Sequence, residues 1–294
     1  MDEENKEEPG YSFLTRIDVE LERTVADIED YYKNNFNAPE QYLQTGFEKL
    51  SLRKGDLIIL ASRSCLGRFS FAMSIVNNVA IKKKKTVGCF SCGDRDASSF
   101  CKKLISIRTG IPLRKILQGC LKVEDVQKIS KEAGNLFDSK IYINDSPNIM
   151  YEEFELAADM MVNNLGAELI ILDSYEYLNE IVRANDEDDI FYSHSKILNK
   201  YKETARKLNV PIIILMELPL RNDNEPSIAD FKENMIIPRI ADEVYLLYRE
   251  RIRDDRPTCH ADLIMAKNSH GVNLHIPLTY HTETEVYTNF LEAE

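Results

Sequence analysis

Apolar residues along the chain fall into short unbroken runs separated by stretches with a helical repeat. Asp56–Ala61, Thr86–Ser91, Ile141–Ile143, Glu168–Asp173 and Val210–Leu215 have strand length and are apolar almost throughout, and Glu243–Tyr248 and Ala261–Ala266 add two later strands. Between them Phe69–Ala80, Asp96–Thr109, Val123–Leu136, Tyr151–Leu165 and His194–Leu208 carry the spacing of helices. Strands that are apolar on both faces and alternate with helices predict an α/β fold, a mainly parallel twisted sheet with helices on both sides. Ahead of this body Leu21, Val25, Ile28 and Tyr32 recur at i, i+4, i+7 and i+11, which predicts one amphipathic helix over Asp18–Tyr32. No internal repeat is present, and Lys82–Lys85 is the single low-complexity stretch.

Charge changes the picture at one end. The 294 residues carry a net charge of −12, but residues 1–31 hold eleven acids and three bases, so eight of the twelve charges belong to that segment. The remainder is close to balance and neither demands nor forbids a nucleic-acid partner. No run approaches the roughly 18–20 apolar residues of a spanning helix. The acidic first residues match neither a secretory signal nor a transit peptide. The six cysteines, at 65, 89, 92, 101, 120 and 259, lack the density of a disulfide scaffold. A cytoplasmic protein without a membrane partner is expected.

Candidate chemistry sits where the first strand gives way to a helix. Ser62-Arg63-Ser64-Cys65-Leu66-Gly67-Arg68-Phe69 aligns with the phosphate-binding pattern G-x-x-x-x-G-K-[ST]. Gly67 matches; Ser62, Arg68 and Phe69 stand in for glycine, lysine and the hydroxyl residue. Leu169-Ile170-Ile171-Leu172-Asp173 has the form of a Walker B strand, four apolar residues ending on a carboxylate that could hold magnesium. Cys89 and Cys92 have the spacing of a zinc pair, but they lie along a buried strand and no second pair follows. His270, beside Gly271, falls in the turn of the late strand pair, where a surface role is expected.

Together with further stretches these residues carry a family resemblance. Tyr42–Leu50 with Thr45-Gly46-Phe47, Asp56–Arg63, Gly67–Met73, Ile141–Pro147, Ile171–Tyr175, Leu208–Ile212 and Ala241–Val244 occur in the order found in the C-terminal ATPase domain of the bacterial replicative helicase DnaB family. The chain resembles that family from about residue 20 to residue 280, without the family's N-terminal helical domain. The resemblance implies a RecA-like P-loop NTPase fold over residues 38–294, preceded in residues 1–37 by an acidic tail and a linker helix. In the family that helix packs on the adjacent subunit of a hexameric ring.

The resemblance also implies ATP and Mg2+ as cofactors. The nucleotide would lie on Ser62, Arg63, Ser64, Cys65, Leu66, Gly67, Arg68, Phe69, Ser70, Asp173, Glu217 and Lys267, with Asp173 on the metal. Several of these positions depart from the family pattern. Arg68 replaces a lysine, whose compact ammonium becomes a planar fork. Phe69 replaces the threonine whose hydroxyl would meet magnesium, and Ser70 lies about 100° further round the helix. The catalytic glutamate falls on Gly93, with Asp94 and Asp96 nearby but displaced. The polar sensor after the fifth strand falls on Glu217. Of the two trans-acting cations, Lys267 is kept and the arginine falls on Ser269. Loss of an arginine finger alone costs about 10³–10⁵ in rate in related phosphoryl transfer, so a degraded Walker A motif and impaired hydrolysis are expected.

The segment Asp230–Met235 matches the family's channel-lining loops and offers Lys232 to single-stranded DNA. The expected role is a hydrolysis-deficient subunit or regulator in DNA replication, in a homo-oligomer or a hetero-oligomer with a DnaB-type helicase. Two other readings remain at this point: a divergent but active ATP-dependent DNA helicase, and a scaffold that binds neither nucleotide nor DNA.

Overall fold

The computed structural model describes residues 17–33, 41–93, 95–178, 181, 190–219, 224–249 and 258–290. The chain divides into two compact units, Met1–Tyr42 and Leu43–Glu294. The first holds helix α1 (Ile17–Lys33), with Asp18 and Glu20 in its first turn, where carboxylates suit the positive end of the helix dipole. Its Leu21, Val25 and Ile28 are exposed. Among the described residues no helix is long and apolar enough to cross a membrane.

In the second unit a small ladder, β1 (Tyr42–Gln44) with β2 (Ser51–Arg53), leads into the central strand β3 (Leu57–Arg63). Helix α2 (Arg68–Val76) follows and continues as a wider π-type turn over Asn77–Lys82. Then come β4 (Thr86–Ser91), α3 (Ala97–Thr109), α4 (Leu113–Gln118), α5 (Val123–Phe137), β5 (Ile141–Asn144), α6 (Tyr151–Asp159) and β6 (Ala167–Asp173). The chain proceeds through α7 (Ile190–Leu208), β7 (Ile212–Leu218), a 3-10 turn (Ile228–Asn234), α8 (Ile236–Ile240), β8 (Glu243–Tyr248), β9 (Thr258–Asn268), β10 (His275–His281) and β11 (Val286–Asn289).

The main sheet has nine strands in the order β11-β10-β9-β8-β3-β7-β6-β4-β5. From β8 to β5 neighbours run parallel, and β9, β10 and β11 continue the sheet antiparallel. The period of two sorts the central side chains. Leu57, Ile59 and Ala61 enter one core with Ile170, Leu172, Ile212 and Ile214, and α6 and α7 cover it. Ile58 and Leu60 enter the other with Ile171, Ile213 and Leu215, under α2. Burying each such aliphatic side chain contributes roughly 1.5–3 kcal/mol, and both faces of β3, β6 and β7 are used.

Two strand ends differ from the sequence expectation. β3 runs on through Ser62 and Arg63, because these pair with Glu217 and Leu218 of β7. β7 correspondingly reaches Leu218, so Glu217 lies inside a strand and not after it. The expected phosphate loop therefore narrows to Ser64–Gly67. Strands β10 and β11 and helix α4 are additions to the elements that the sequence pattern predicts.

Candidate functional site

The carboxyl ends of β4, β6, β7 and β3 gather the candidate groups. Ser91 pairs with Asp173, Asp173 with Leu215, and Ser62 with Glu217. Ligands of open parallel sheets bind at such ends.

The loop from β3 to α2 turns through two left-handed residues, Cys65 (φ 65°) and Gly67 (φ 89°). Glycine is the residue that takes this conformation without steric cost. A Cβ on Gly67 would also stand 3.1 Å from the Tyr287 hydroxyl. That hydroxyl, on β11, donates a short hydrogen bond to the Leu66 carbonyl. Arg249 donates to the Cys65 carbonyl at 3.3 Å and lies over the Tyr280 ring. Within the loop the Leu66 amide closes on the Arg63 carbonyl at 3.3 Å, and the Phe71 amide starts α2 on the Gly67 carbonyl at 2.9 Å.

Not every loop residue faces the same way. The Ser62 hydroxyl is buried and donates to the Arg63 carbonyl at 3.0 Å, while the Arg63 guanidinium donates to the carbonyl of Asn224. Ser64 is half-buried and Cys65 exposed. Ser70 is buried, its carbonyl accepting from the Ser74 hydroxyl at 2.9 Å. Arg68 turns to Glu217, Nη1 to Oε2 at 3.1 Å, so the expected phosphate cation and the expected sensor position neutralise each other. The Glu217 amide donates to the Glu176 carboxylate.

Asp173 is 1% exposed. Its Oδ2 accepts from Arg95 Nη1 at 2.7 Å, and its Oδ1 is buried with no hydrogen-bond partner among the described residues. Burial pushes the Asp173 carboxyl above its ordinary range, against the pull of Arg95 and Arg68. The Arg95 guanidinium also lies 4.7 Å from the centre of the Phe69 ring, which meets Phe100 edge-on at 4.9 Å between centroids. Arg95 escapes a sequence reading because its partners are 78 and 26 residues away. The hint available is its place in the short segment after β4, where the resemblance implies a catalytic acid.

Magnesium demands oxygen ligands in near-octahedral array. Here the first turn of α2 presents a phenyl ring, and one oxygen of the carboxylate that ends β6 is held by a guanidinium. The residues described here do not fit that ion. The glutamate position holds Gly93 at φ 96°, where a Cβ would meet the Tyr177 ring at 2.8 Å. Asp96 caps α3, accepting from the Ser99 amide at 2.8 Å, and its bonds to Ser99 hold its carboxyl below the usual range. Asp94 lies outside the described residues.

Lys267 stands apart from this corner. It pairs across β8 with Val244, near the start of that strand, and its ammonium donates to the Ala241 and Arg239 carbonyls at 2.6 and 3.1 Å. Ser269 beside it donates its hydroxyl to the Asp242 carbonyl at 2.8 Å. Lys232 is exposed in the 3-10 turn, at φ 48°. His270, placed in the β9–β10 turn as expected, reaches the buried Asp56 carboxylate at 2.9 Å and also contacts Arg53. Cys89 is buried in β4, which pushes its thiol up to about 12.

A cleft of about 420 Å³ opens beside the loop, lined among others by Gly67, Arg68, Ser70, Arg95, Lys102 and Lys103. Lys103 is buried and spends its three donors on the Thr284 and Glu285 carbonyls and the Glu285 carboxylate, at 2.9–3.1 Å.

Comparison with known proteins agrees with this arrangement of strands. The Bacillus subtilis replicative DNA helicase DnaC is 29% identical over 258 residues, covering 84% of this chain and 56% of its own. The Rickettsia bellii replicative DNA helicase DnaB is 25% identical over 323 residues, covering 96% of this chain and 63% of its own. The chain thus spans little more than half the length of such relatives. Among solved structures one ATPase domain superposes with a TM-score of 0.77 at 22% identity, over 95% of this chain and all of that one. A DnaB-like replicative helicase, solved in a study of its interactions with primase, gives the same score at the same identity, over 90% of this chain and 66% of that one. These two establish the RecA-like α/β fold. The family model for the DnaB-like helicase C-terminal domain matches residues 43–289, from the strand that opens the second unit to the last strand of the sheet, and the chain belongs to that family.

Proposed function

We propose that this protein works in DNA replication as a DnaB-type RecA-like subunit or regulator that turns over ATP poorly or not at all. The observation that carries the reading is the contact of Arg95 with Asp173 above Phe69. It ties up the carboxylate that would serve magnesium, at the point where the metal hydroxyl is already replaced by a ring. The other departures agree with it. Gly93 supplies no base, and Asp96 is committed to its helix cap. Ser269 replaces the trans-acting arginine. Each of these strikes hydrolysis, and their effects do not simply add.

The loop, the start of α2 and the adjoining cleft retain what a phosphate needs, namely backbone at a helix N-terminus and cationic side chains. Nucleotide binding without turnover follows. Assembly would be with further copies or with a DnaB-type helicase, with Lys232 the candidate contact to single-stranded DNA. The test is steady-state ATP hydrolysis with and without single-stranded DNA. The expected rate lies at least about 10³-fold below an active relative assayed alongside. DNA-stimulated turnover at about 1 s⁻¹ or more, an ordinary enzyme rate, would favour the active-helicase reading and sink this one.

A further inference from the structure

We infer that the Arg95 guanidinium takes the place of the divalent cation at this corner, so that the cleft binds a nucleoside polyphosphate without magnesium. This rests on the reading of the loop as a nucleotide site. In related sites the metal bridges phosphate oxygens to the protein and neutralises their charge. Both tasks have a local substitute here.

Two contacts orient the guanidinium. Asp173 takes Nη1 at 2.7 Å, and the Phe69 ring lies 4.7 Å from its central carbon. A carboxylate at one edge and a ring against one face leave the other edge for a ligand. Arginine has five N–H donors in a rigid fork that matches phosphate oxygens in pairs. The side chain is 37% exposed and lines the cleft together with Arg68 and Lys102. The cleft, at about 420 Å³, is within the range of small-molecule sites.

The charge logic is inverted relative to a metal site. A bare buried carboxylate would repel an uncomplexed phosphate until a metal arrived. Here Asp173 is already paired, so the phosphate meets a guanidinium first. A magnesium-complexed nucleotide has no compensating advantage, because its ion finds a phenyl ring and an occupied carboxylate.

The experiment is calorimetric titration of the full chain with ATP, once in excess EDTA and once in excess magnesium. The expected result is a dissociation constant that agrees within about threefold between the two. Arg95→Ala should weaken binding in EDTA by about tenfold or more, as loss of a charge-assisted contact does. Arg95→Lys, which keeps a cation to pair with Asp173 and so protects the fold, should weaken it by a smaller factor through loss of the fork. Binding that appears only with magnesium overturns this inference and leaves the nucleotide site standing. An affinity unchanged in both variants also overturns it. No binding in either buffer overturns the nucleotide-site reading itself, and this inference with it.

Discussion

Arg95→Ala uncovers a buried carboxylate, and the cost can be worked from the geometry. Removing one partner of a buried ion pair costs about 3–5 kcal/mol when the other is left uncompensated. Asp173 is 1% exposed, but Arg95 is 37% exposed, so water already screens part of the pair. Arg68 also remains near enough to favour the charged carboxylate. Both considerations reduce the figure to about 2 kcal/mol at neutral pH. The variant has one escape, which is to protonate Asp173. Its carboxyl already sits above the ordinary value of 3.8 through burial, and without Arg95 it rises further. The folded variant then holds a proton that the unfolded chain has released, so its stability falls as pH climbs above 3.8. The penalty should be near 2 kcal/mol at about pH 8 and shrink below about 1 kcal/mol at about pH 5. Urea unfolding at both values measures it, with Asp173→Asn as the second arm of a double-mutant cycle. In the Asp173→Asn background Arg95→Ala should cost little at either pH. Equal losses at the two pH values, or a loss as large in the Asp173→Asn background as in the wild type, would refute the pairing as the source.

Tyr287→Phe removes the hydroxyl that serves the Leu66 carbonyl; we expect a loss of about 1–2 kcal/mol and faster amide exchange at residues 64–67, and unchanged exchange there would count against the anchor. Burial pushes Glu243 up to about 7, against the hydrogen bond from the Tyr245 hydroxyl. The Glu243 contribution to wild-type stability should therefore decline from about pH 4.5 towards pH 7, and Glu243→Gln should exceed the wild type by up to about 3 kcal/mol at about pH 8 with no gain at about pH 4. A gain of equal size at both pH values in thermal melts would dismiss that account. Gly93→Ala should cost about 1–3 kcal/mol through its left-handed backbone, and adding Tyr177→Ala should return only the part due to the 2.8 Å approach of the ring. Full rescue by the second change would mean that the backbone carries no strain.

The elements legible in the sequence are those whose stability is local or periodic. β3, β4 and β6 stand out because both faces of each are buried, which leaves an unbroken apolar run. Gly67 stands out because the turn into α2 needs a left-handed residue. Helix α4 is hidden because it is six residues long, buries none of them and is closed by Gly119 at φ 70°. β10 and β11 are hidden because they alternate buried and more exposed positions, so neither leaves an unbroken apolar run, and Pro277 interrupts β10. The site is half legible. Asp173 can be placed at the end of its strand, but its partner Arg95 cannot, since a pair 78 residues apart leaves no spacing to read. The same holds for Arg68 and Glu217, 149 residues apart. Each looks like a misfit to a family pattern when read alone, and together they form a neutral pair.

The Tyr287 anchor also orders events in time. The loop it pins is made of residues near 66, yet the pin arrives 221 residues later. A ribosome adding about 5–20 residues per second needs roughly 10–45 seconds to cover that distance. During this interval β3 and α2 can pack with β4, β6 and β7, while the loop between them waits for its last support. The closing strand thus completes a loop laid down at the start of the sheet. A nascent or truncated chain that lacks it can form the central sheet, but its Leu66 carbonyl has no Tyr287 hydroxyl to meet until the last strand has been made.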